Sequence, residues 1–239
     1  DQNTYLLDSN VLSDNEKDIF KNITMYMDDA LCCSAVNIMC RYMQRYYNKK
    51  VIVLLDEYDT PMQEAYIHGY WDEFTAFLRS LFNATFKTNP YLERAVMTGI
   101  TRVSKESMFS DLNNLNVVTT TSDEYSSCFG FTEEEVFDSL DAFGLSDKKQ
   151  EVKKWYDGFT FGSHKDIYNP WSVTSYLDKK RIAPYWASTS SNGLVSRLLQ
   201  TASTQVKELM EELLRGGTIV VNFDEQIVFN QLDTNESAI

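Results

Sequence analysis

The chain has 239 residues, 43% of them hydrophobic and 13% aromatic, which argues against wholesale disorder and for a buried core. Its formal net charge is −13, whereas a protein that wraps nucleic acid needs Lys and Arg for the phosphates, so nucleic acid is not an expected partner. No basic segment followed by an apolar stretch opens the sequence, and no apolar run approaches the roughly 20 residues of a membrane-spanning helix. We therefore expect a cytoplasmic protein without a membrane partner.

The first half of the chain predicts a parallel sheet with flanking helices. Apolar residues at helical spacing predict a helix over 35–47, and the uninterrupted run Val51–Leu55 is typical of a central parallel strand with helices on both faces. A second helix is predicted over 72–87 and a second strand over 95–99, which together form a βαβ unit with its strands in parallel. A third strand is predicted over 116–121.

The second half predicts mostly helices. Thr132 and Glu135 form a capping box, and Asn169 followed by Pro170 is a helix start. We expect helices over 132–143, 148–156, from 169 onward, 192–200 and 205–214, a loop at 157–162, and a final β-hairpin over 218–223 and 226–232. The change of character places a boundary near Tyr125, between a core of residues 1–125 and a helical region of residues 126–239.

Two acids follow the first predicted strand. Asp56 and Glu57 lie where open α/β sheets bind ligands, and in P-loop NTPases an Asp at this point holds Mg²⁺. A Glu directly after it is placed to act as general base on the attacking water. The alternative is a pair of acids that simply end a strand, and the pattern alone does not separate the two. A haloacid-dehalogenase-type phosphatase is disfavoured, because one residue too many separates Asp56 from Asp59, which we assign to the turn before Pro61.

Polar side chains also follow the second predicted strand. The hydroxyl of Thr98 could contact the γ-phosphate or the attacking water, and Arg102 could stabilise charge on the phosphoryl group. Taken singly, a strand-ending Thr and a surface Arg are the simpler interpretations. Cysteines Cys32, Cys33, Cys40 and Cys128 lack metal-ligand spacing, so reduced thiols are expected.

The stretch VIVLLDEYDTPMQEAYIHGYWDEFTAFLRSLFNATFKTNPYLERAVMTGITRVSKESMFSDLNNLNV resembles the AAA-ATPase-like family of bacterial proteins. The segments CFGFTEEEV, KKWYDGFTFG, IYNPWSV and YWASTSSN match in the same order, so the resemblance covers roughly residues 35–239. It implies that Asp56 and Glu57 are the Walker B pair, that Thr98 is a sensor residue and that Arg102 lies beside the phosphates. In that family the domain commonly precedes a PD-(D/E)xK nuclease-like domain.

The resemblance implies an α/β fold: a partial P-loop NTPase sheet with flanking helices, then a mostly helical lid or adaptor ending in a β-hairpin. The expected ligands are ATP and Mg²⁺, with Asp56 as metal ligand and Asp56 and Thr98 in contact with the nucleotide. None of the nine glycines is followed by Lys, so the sequence lacks the GxxxxGK[ST] phosphate loop, and we expect weak or absent nucleotide binding by these residues alone. The alternatives are a non-catalytic interaction module and, disfavoured by charge, a nuclease. Without the phosphate-loop segment, the sheet would expose a strand edge or an apolar face, so we also expect the isolated chain to associate with itself.

Overall fold

The computed structural model describes residues 3–100, 112, 114–187 and 193–220. Contacts divide the chain into two compact units. The first comprises Asp1–Leu115 and Leu194–Ile239, and the second Asn116–Gly193. The sequence predicts a single boundary at 125/126. In the structure the second unit is instead inserted between two segments of the first.

Three helices open the first unit: α1 (Tyr5–Asp8), α2 (Asp14–Asn22) and α3 (Asp29–Tyr47). A capping box from Ser13 and Glu16 starts α2, and the Asp28 carboxylate accepts the Leu31 N–H at the start of α3. The predicted helix over 35–47 is therefore the later part of a longer helix.

A two-stranded parallel sheet follows, formed by β1 (Val51–Leu55) and β2 (Leu92–Met97). The connection between them contains α4 (Thr60–His68), α5 (Trp71–Phe82) and a π-helical segment (Asn83–Lys87). The predicted parallel strand pair is confirmed, in a register that places Leu55 opposite Met97. Helix α4 was not predicted, because its hydrophobic periodicity is short and follows directly on the acidic segment.

Only one face of this sheet is covered by the described residues. Val53, Leu55, Ala95 and Met97 pack against a core with the buried side chains Met62, Leu78, Phe82, Phe86 and Leu112. On the other face Ile52, Leu54 and Val96 are 59%, 75% and 49% exposed. Because alternate residues of a strand point to opposite faces, an all-apolar run does not by itself establish cover on both. The expectation of helices on both faces is therefore wrong for the described residues.

The chain returns to the first unit through α9 (Gly193–Thr201) and α10 (Thr204–Leu214). The guanidinium of Arg197 donates to the carbonyl oxygens of Tyr66 (3.1 Å) and Ile67 (2.9 Å) near the end of α4. It also lies 4.9 Å from the centre of the Tyr66 ring. This basic side chain thus satisfies carbonyl groups at the helix terminus.

The second unit combines helices with a three-stranded antiparallel sheet in the order β3–β5–β4. Its strands are β3 (Phe131–Thr132), β4 (Asp157–Phe161) and β5 (His164–Tyr168), and its helices are α6 (Glu133–Ala142), α7 (Lys149–Tyr156) and α8 (Pro170–Lys179), with a 3₁₀ turn at Ser146–Lys148. The capping box at Thr132 and Glu135 and the Asn169 cap with Pro170 are confirmed. The core contains Val136, Leu140, Val152, Tyr156, Tyr168, Val173 and Tyr176.

Two predictions fail in the second unit. The predicted loop at 157–162 is most of a β-hairpin, in which Gly162 has the positive φ of 54° that the turn requires. Residues 116–121 form no strand. The Thr119 carbonyl accepts the Ser122 N–H in a local turn, and the Thr120 carbonyl accepts the N–H of Gly162, between β4 and β5. In the proposed terminal hairpin, 218–220 are not in a strand, and the rest lies outside the described residues.

None of the helices formed by the described residues combines the length and the apolar character needed to cross a bilayer. No disulfide joins Cys32, Cys33, Cys40 or Cys128.

Candidate functional site

The candidate site lies where β1 and β2 end. Parallel strands in register bring their carboxyl ends to the same edge of the sheet, so Asp56 follows Leu55 just as Thr98 follows Met97. The Thr98 hydroxyl donates a hydrogen bond to Asp56 Oδ1. The backbone continues the pairing, since Thr98 N–H donates to Leu55 O (2.9 Å) and Tyr58 N–H donates to Thr98 O (3.0 Å). The structure therefore brings together Asp56 and Thr98, which are 42 residues apart in sequence.

Glu57 has an unusual backbone conformation. Its φ is +52°, in the left-handed region that non-glycine residues rarely adopt. Its N–H donates to Asp56 Oδ1 at 3.1 Å, and its carbonyl accepts the Thr60 N–H at 3.1 Å. Asn48 and Lys180 have a similar φ but end helices, where this conformation is common. Left-handed non-glycine residues away from helix ends cluster at functional sites. Tyr125 and Asp166 share this conformation, so what distinguishes Glu57 is its φ together with its place directly after Asp56 at the end of β1.

The side chain of Asp59 does not cap the turn before Pro61, to which the sequence assigns it. Asp59 stands at the N-cap of α4 but makes no capping hydrogen bond with its side chain. Instead its carboxylate accepts the Ile100 N–H, just beyond β2. Asp59 is 1% exposed, whereas Asp56 and Glu57 are exposed. Burial is the signal that separates the three acids, and the sequence does not show it. The fourth predicted site residue, Arg102, lies outside the described residues.

The strand-end residues suit a metal that is shared with a nucleotide. No three His, Cys, Asp or Glu side chains among the described residues form a group that could hold a metal ion alone. Mg²⁺, however, commonly takes one or two carboxylates and completes its shell with water and substrate phosphates. An exposed carboxylate at Asp56, with the Thr98 hydroxyl beside it, fits that kind of site.

A surface groove of about 480 Å³ lies between α3 and α5 and does not include the strand ends. Its lining contains Asp29, Cys33 and Glu73, together with Ala30, Ala76, Phe77 and Ser80. Burial raises the pKa of the Cys33 thiol above its ordinary value. A raised pKa reduces the thiolate fraction, so this groove is a poor candidate for a nucleophilic site.

The second unit contains a charged cluster that joins its hairpin to its helices. The Lys153 ammonium on α7 forms a hydrogen-bonded ion pair with Glu133 and lies 3.3 Å from Asp166 and 3.9 Å from Asp157. The Tyr168 hydroxyl donates to Glu133 at 3.1 Å. The hydrogen bond to Glu133 raises the pKa of Lys153, while burial, followed by a hydrogen bond with Asp166, raises the pKa of Asp157. These contacts connect α6, α7, β4 and β5 and account for the cluster as a structural feature.

Comparison with known proteins supports the resemblance in the first part of the chain. Residues 7–109 match the model of the AAA-ATPase-like family, described as a predicted AAA-ATPase. A curated relative, the "Uncharacterized protein in vnfD 5'region" of Azotobacter chroococcum mcd 1, is 31% identical over 153 residues, which cover 63% of this chain and 29% of the relative. The aligned part thus spans less than a third of that relative. No solved structure matches the chain.

Proposed function

We propose that this chain supplies the metal- and water-positioning part of an ATP-hydrolysing site of the P-loop, AAA-like type. One observation carries the proposal: the Thr98 hydroxyl bonds to Asp56 across the ends of neighbouring parallel strands. The adjacent left-handed backbone of Glu57 supports it, because such strain persists where the surrounding structure enforces it. The match of residues 7–109 to a predicted AAA-ATPase family supports it independently.

Each residue then has a distinct role. Asp56 would hold Mg²⁺ directly or through water, and the bound ion would supply positive charge to the phosphates of ATP. Thr98 orients Asp56 and lies within reach of the attacking water or the γ-phosphate. Glu57 accepts a proton from that water as its oxygen bonds to the γ-phosphorus and the bond to the bridging oxygen breaks, so that ADP leaves. Arg102 stabilises charge on the transferring phosphoryl group.

The phosphate-binding loop must come from outside these 239 residues, because no glycine in them is followed by Lys. That loop supplies most of the contacts to the triphosphate. The exposed face at Ile52, Leu54 and Val96 leaves room for further elements of a P-loop sheet. We therefore expect the isolated chain to lack useful turnover and the full-length gene product to hydrolyse ATP.

The alternative is a non-catalytic interaction module that keeps the fold. The same exposed face favours it, since its adjacent apolar side chains offer a surface to another chain. In this case the isolated chain self-associates through the sheet. Light scattering at micromolar concentration then gives a mass above 27.6 kDa, and Leu54→Lys restores the monomer mass. A mass of 27.6 kDa across dilution contradicts self-association.

The test of the ATPase proposal is steady-state phosphate release by the full-length gene product, with Mg²⁺ and with excess chelator. We expect Mg²⁺-dependent turnover near ~1 s⁻¹, at the low end for ordinary enzymes. Asp56→Asn should abolish the Mg²⁺ dependence and most of the turnover. The control Glu64→Gln alters an acid on α4 that is half exposed and should behave like wild type. Absence of turnover from the full-length protein contradicts the enzyme proposal and favours the interaction module.

A further inference from the structure

A buried carboxylate links the segment after β1 to the segment after β2. Both oxygens of Asp59 lie within hydrogen-bonding distance of the Ile100 N–H, at 3.3 Å for Oδ1 and 3.2 Å for Oδ2. The Gln63 side-chain amide donates to Oδ2 at 3.3 Å. Burying a carboxyl group is unfavourable unless hydrogen bonds replace its water, and here they come from the backbone beyond β2 and from α4. The Asp59 carboxylate therefore joins α4 to the segment that follows β2.

The approach of the two segments requires Gly99. A Cβ atom at this position would lie 2.5 Å from Asp59 Oδ1 and 2.7 Å from Tyr58 Cε1, distances that real Cβ atoms do not show. Gly99 is not among the residues with positive φ, so its backbone is open to any amino acid. What excludes a side chain is the space that the Asp59 carboxylate and the Tyr58 ring occupy.

The link acts on the residue next to Gly99. The Thr98 N–H donates to Leu55 O and its carbonyl accepts the Tyr58 N–H. Two residues further on, the Ile100 N–H donates to Asp59. Fixing the backbone on both sides of Thr98 limits the directions in which its hydroxyl can point. The observed direction is toward Asp56.

We propose that Asp59 is a positioning residue: it holds the segment Thr98–Ile100 so that the Thr98 hydroxyl stays on Asp56. The assignment to an ATPase rests on the proposed function, but the geometry is testable without nucleotide. Asp59 touches neither substrate nor metal in this scheme. It acts through Thr98.

The first test is amide hydrogen exchange and Thr98 side-chain NMR on the 239-residue chain. Asp59→Leu removes both acceptors while keeping the number and branching of the side-chain heavy atoms. It should accelerate exchange at Ile100 at least tenfold and change the Thr98 χ1 coupling. The amide of Val51, bonded to Tyr91 O at the far end of the sheet, should change less than twofold. Glu64→Gln, on the same helix, is the matched control and should alter neither signal.

A folded Asp59→Leu protein with unchanged exchange at Ile100 overturns the proposal. Equal acceleration at Val51 and Ile100 also overturns it, because a merely structural role loosens the whole sheet. If Asp59→Leu does not fold, Gly99→Ala provides the same test, since its Cβ displaces the carboxylate from the other side. It should produce the same two local changes, and wild-type signals from a folded Gly99→Ala protein contradict the inference.

The second test separates this inference from the proposed function. In the full-length gene product, Asp59→Leu should lower kcat at least tenfold and change KM for ATP less than threefold, because the phosphate loop provides most of the binding. Asp59→Asn keeps one oxygen that can accept the Ile100 N–H and should retain more of the kcat. Wild-type kcat for Asp59→Leu, measured beside an active parent protein, contradicts the positioning role and leaves the ATPase proposal intact. If the unmutated full-length protein is inactive but Asp59→Leu produces the expected NMR changes, the ATPase proposal is contradicted and the structural link through Asp59 is retained.

Discussion

Replacing Glu57 by Gly should stabilise the first unit even though it removes the proposed general base. A left-handed backbone costs a non-glycine residue roughly 1–2 kcal/mol, and Glu57 adopts it at φ +52°. Glycine relieves this strain but loses roughly 0.5–1 kcal/mol of chain entropy on folding. The midpoints of these two ranges leave a net gain in the free energy of unfolding of about 0.7 kcal/mol. Glu57→Ala keeps a Cβ atom, and with it the strain, so it should give no comparable gain.

The assay is native-state hydrogen exchange at the slowest amides of β1, which reports on the unfolding of the first unit alone. A gain of about 0.7 kcal/mol slows these amides about threefold. Two controls bracket the result. Lys180→Gly, at the left-handed end of α8, should stabilise the second unit without affecting β1. Glu64→Gly, within α4, should destabilise the first unit by about 1 kcal/mol.

Two results refute the reasoning on Glu57. If Glu57→Gly is less stable than wild type, its side chain contributes more to the fold than its backbone strain removes. If Glu57→Ala gains as much as Glu57→Gly, the effect comes from loss of the carboxylate and not from φ. After either result, the backbone conformation of Glu57 no longer supports a functional site at the end of β1.

The remaining predictions concern the core, a titrating acid and a helix cap. Met62→Ala should lower the free energy of unfolding of the first unit by about 2–5 kcal/mol, measured by urea denaturation, because this side chain is fully buried. The raised pKa of Asp157 means that its ionisation opposes folding above the ordinary value of 3.8, so Asp157→Asn should raise the melting temperature of the second unit at pH 7, with the gain shrinking as the pH falls toward 4. An equal gain at both values contradicts this. Asn169→Ala removes the acceptor of the Ser172 N–H and should cost about 1 kcal/mol in the same urea experiment, while Asn169→Asp should retain most of the stability.

The sequence correctly predicted helix starts that depend on hydrogen bonds within a few neighbouring residues. The capping box at Thr132 and the Asn169–Pro170 start were correct because each satisfies helix N–H groups within one turn. The hairpin of β4 and β5 was missed because glycines at 158 and 162 also suit a loop, and only pairing across the turn distinguishes the two.

The sequence predicted which residues of the candidate site lie close together, but not their backbone conformation or burial. Two strand-end polar residues in a parallel pair must lie close together, so the juxtaposition of Asp56 and Thr98 follows from strand order. The burial of Asp59 depends on tertiary packing against Gly99, and residue type alone encodes neither that burial nor the φ of Glu57. The roles assigned to these residues, and to Arg102, stay predictions.

The most direct test of the central claim is single-turnover ATP cleavage by the full-length gene product and its Glu57→Gln variant. A general base contributes about 10²–10⁴-fold, so the cleavage rate constant should fall at least a hundredfold. Binding of ATP with Mg²⁺, measured at equilibrium, should be retained within about threefold, because the amide keeps the shape of the side chain and the phosphate loop is untouched. A Glu57→Gln protein that cleaves ATP at the wild-type rate contradicts the account.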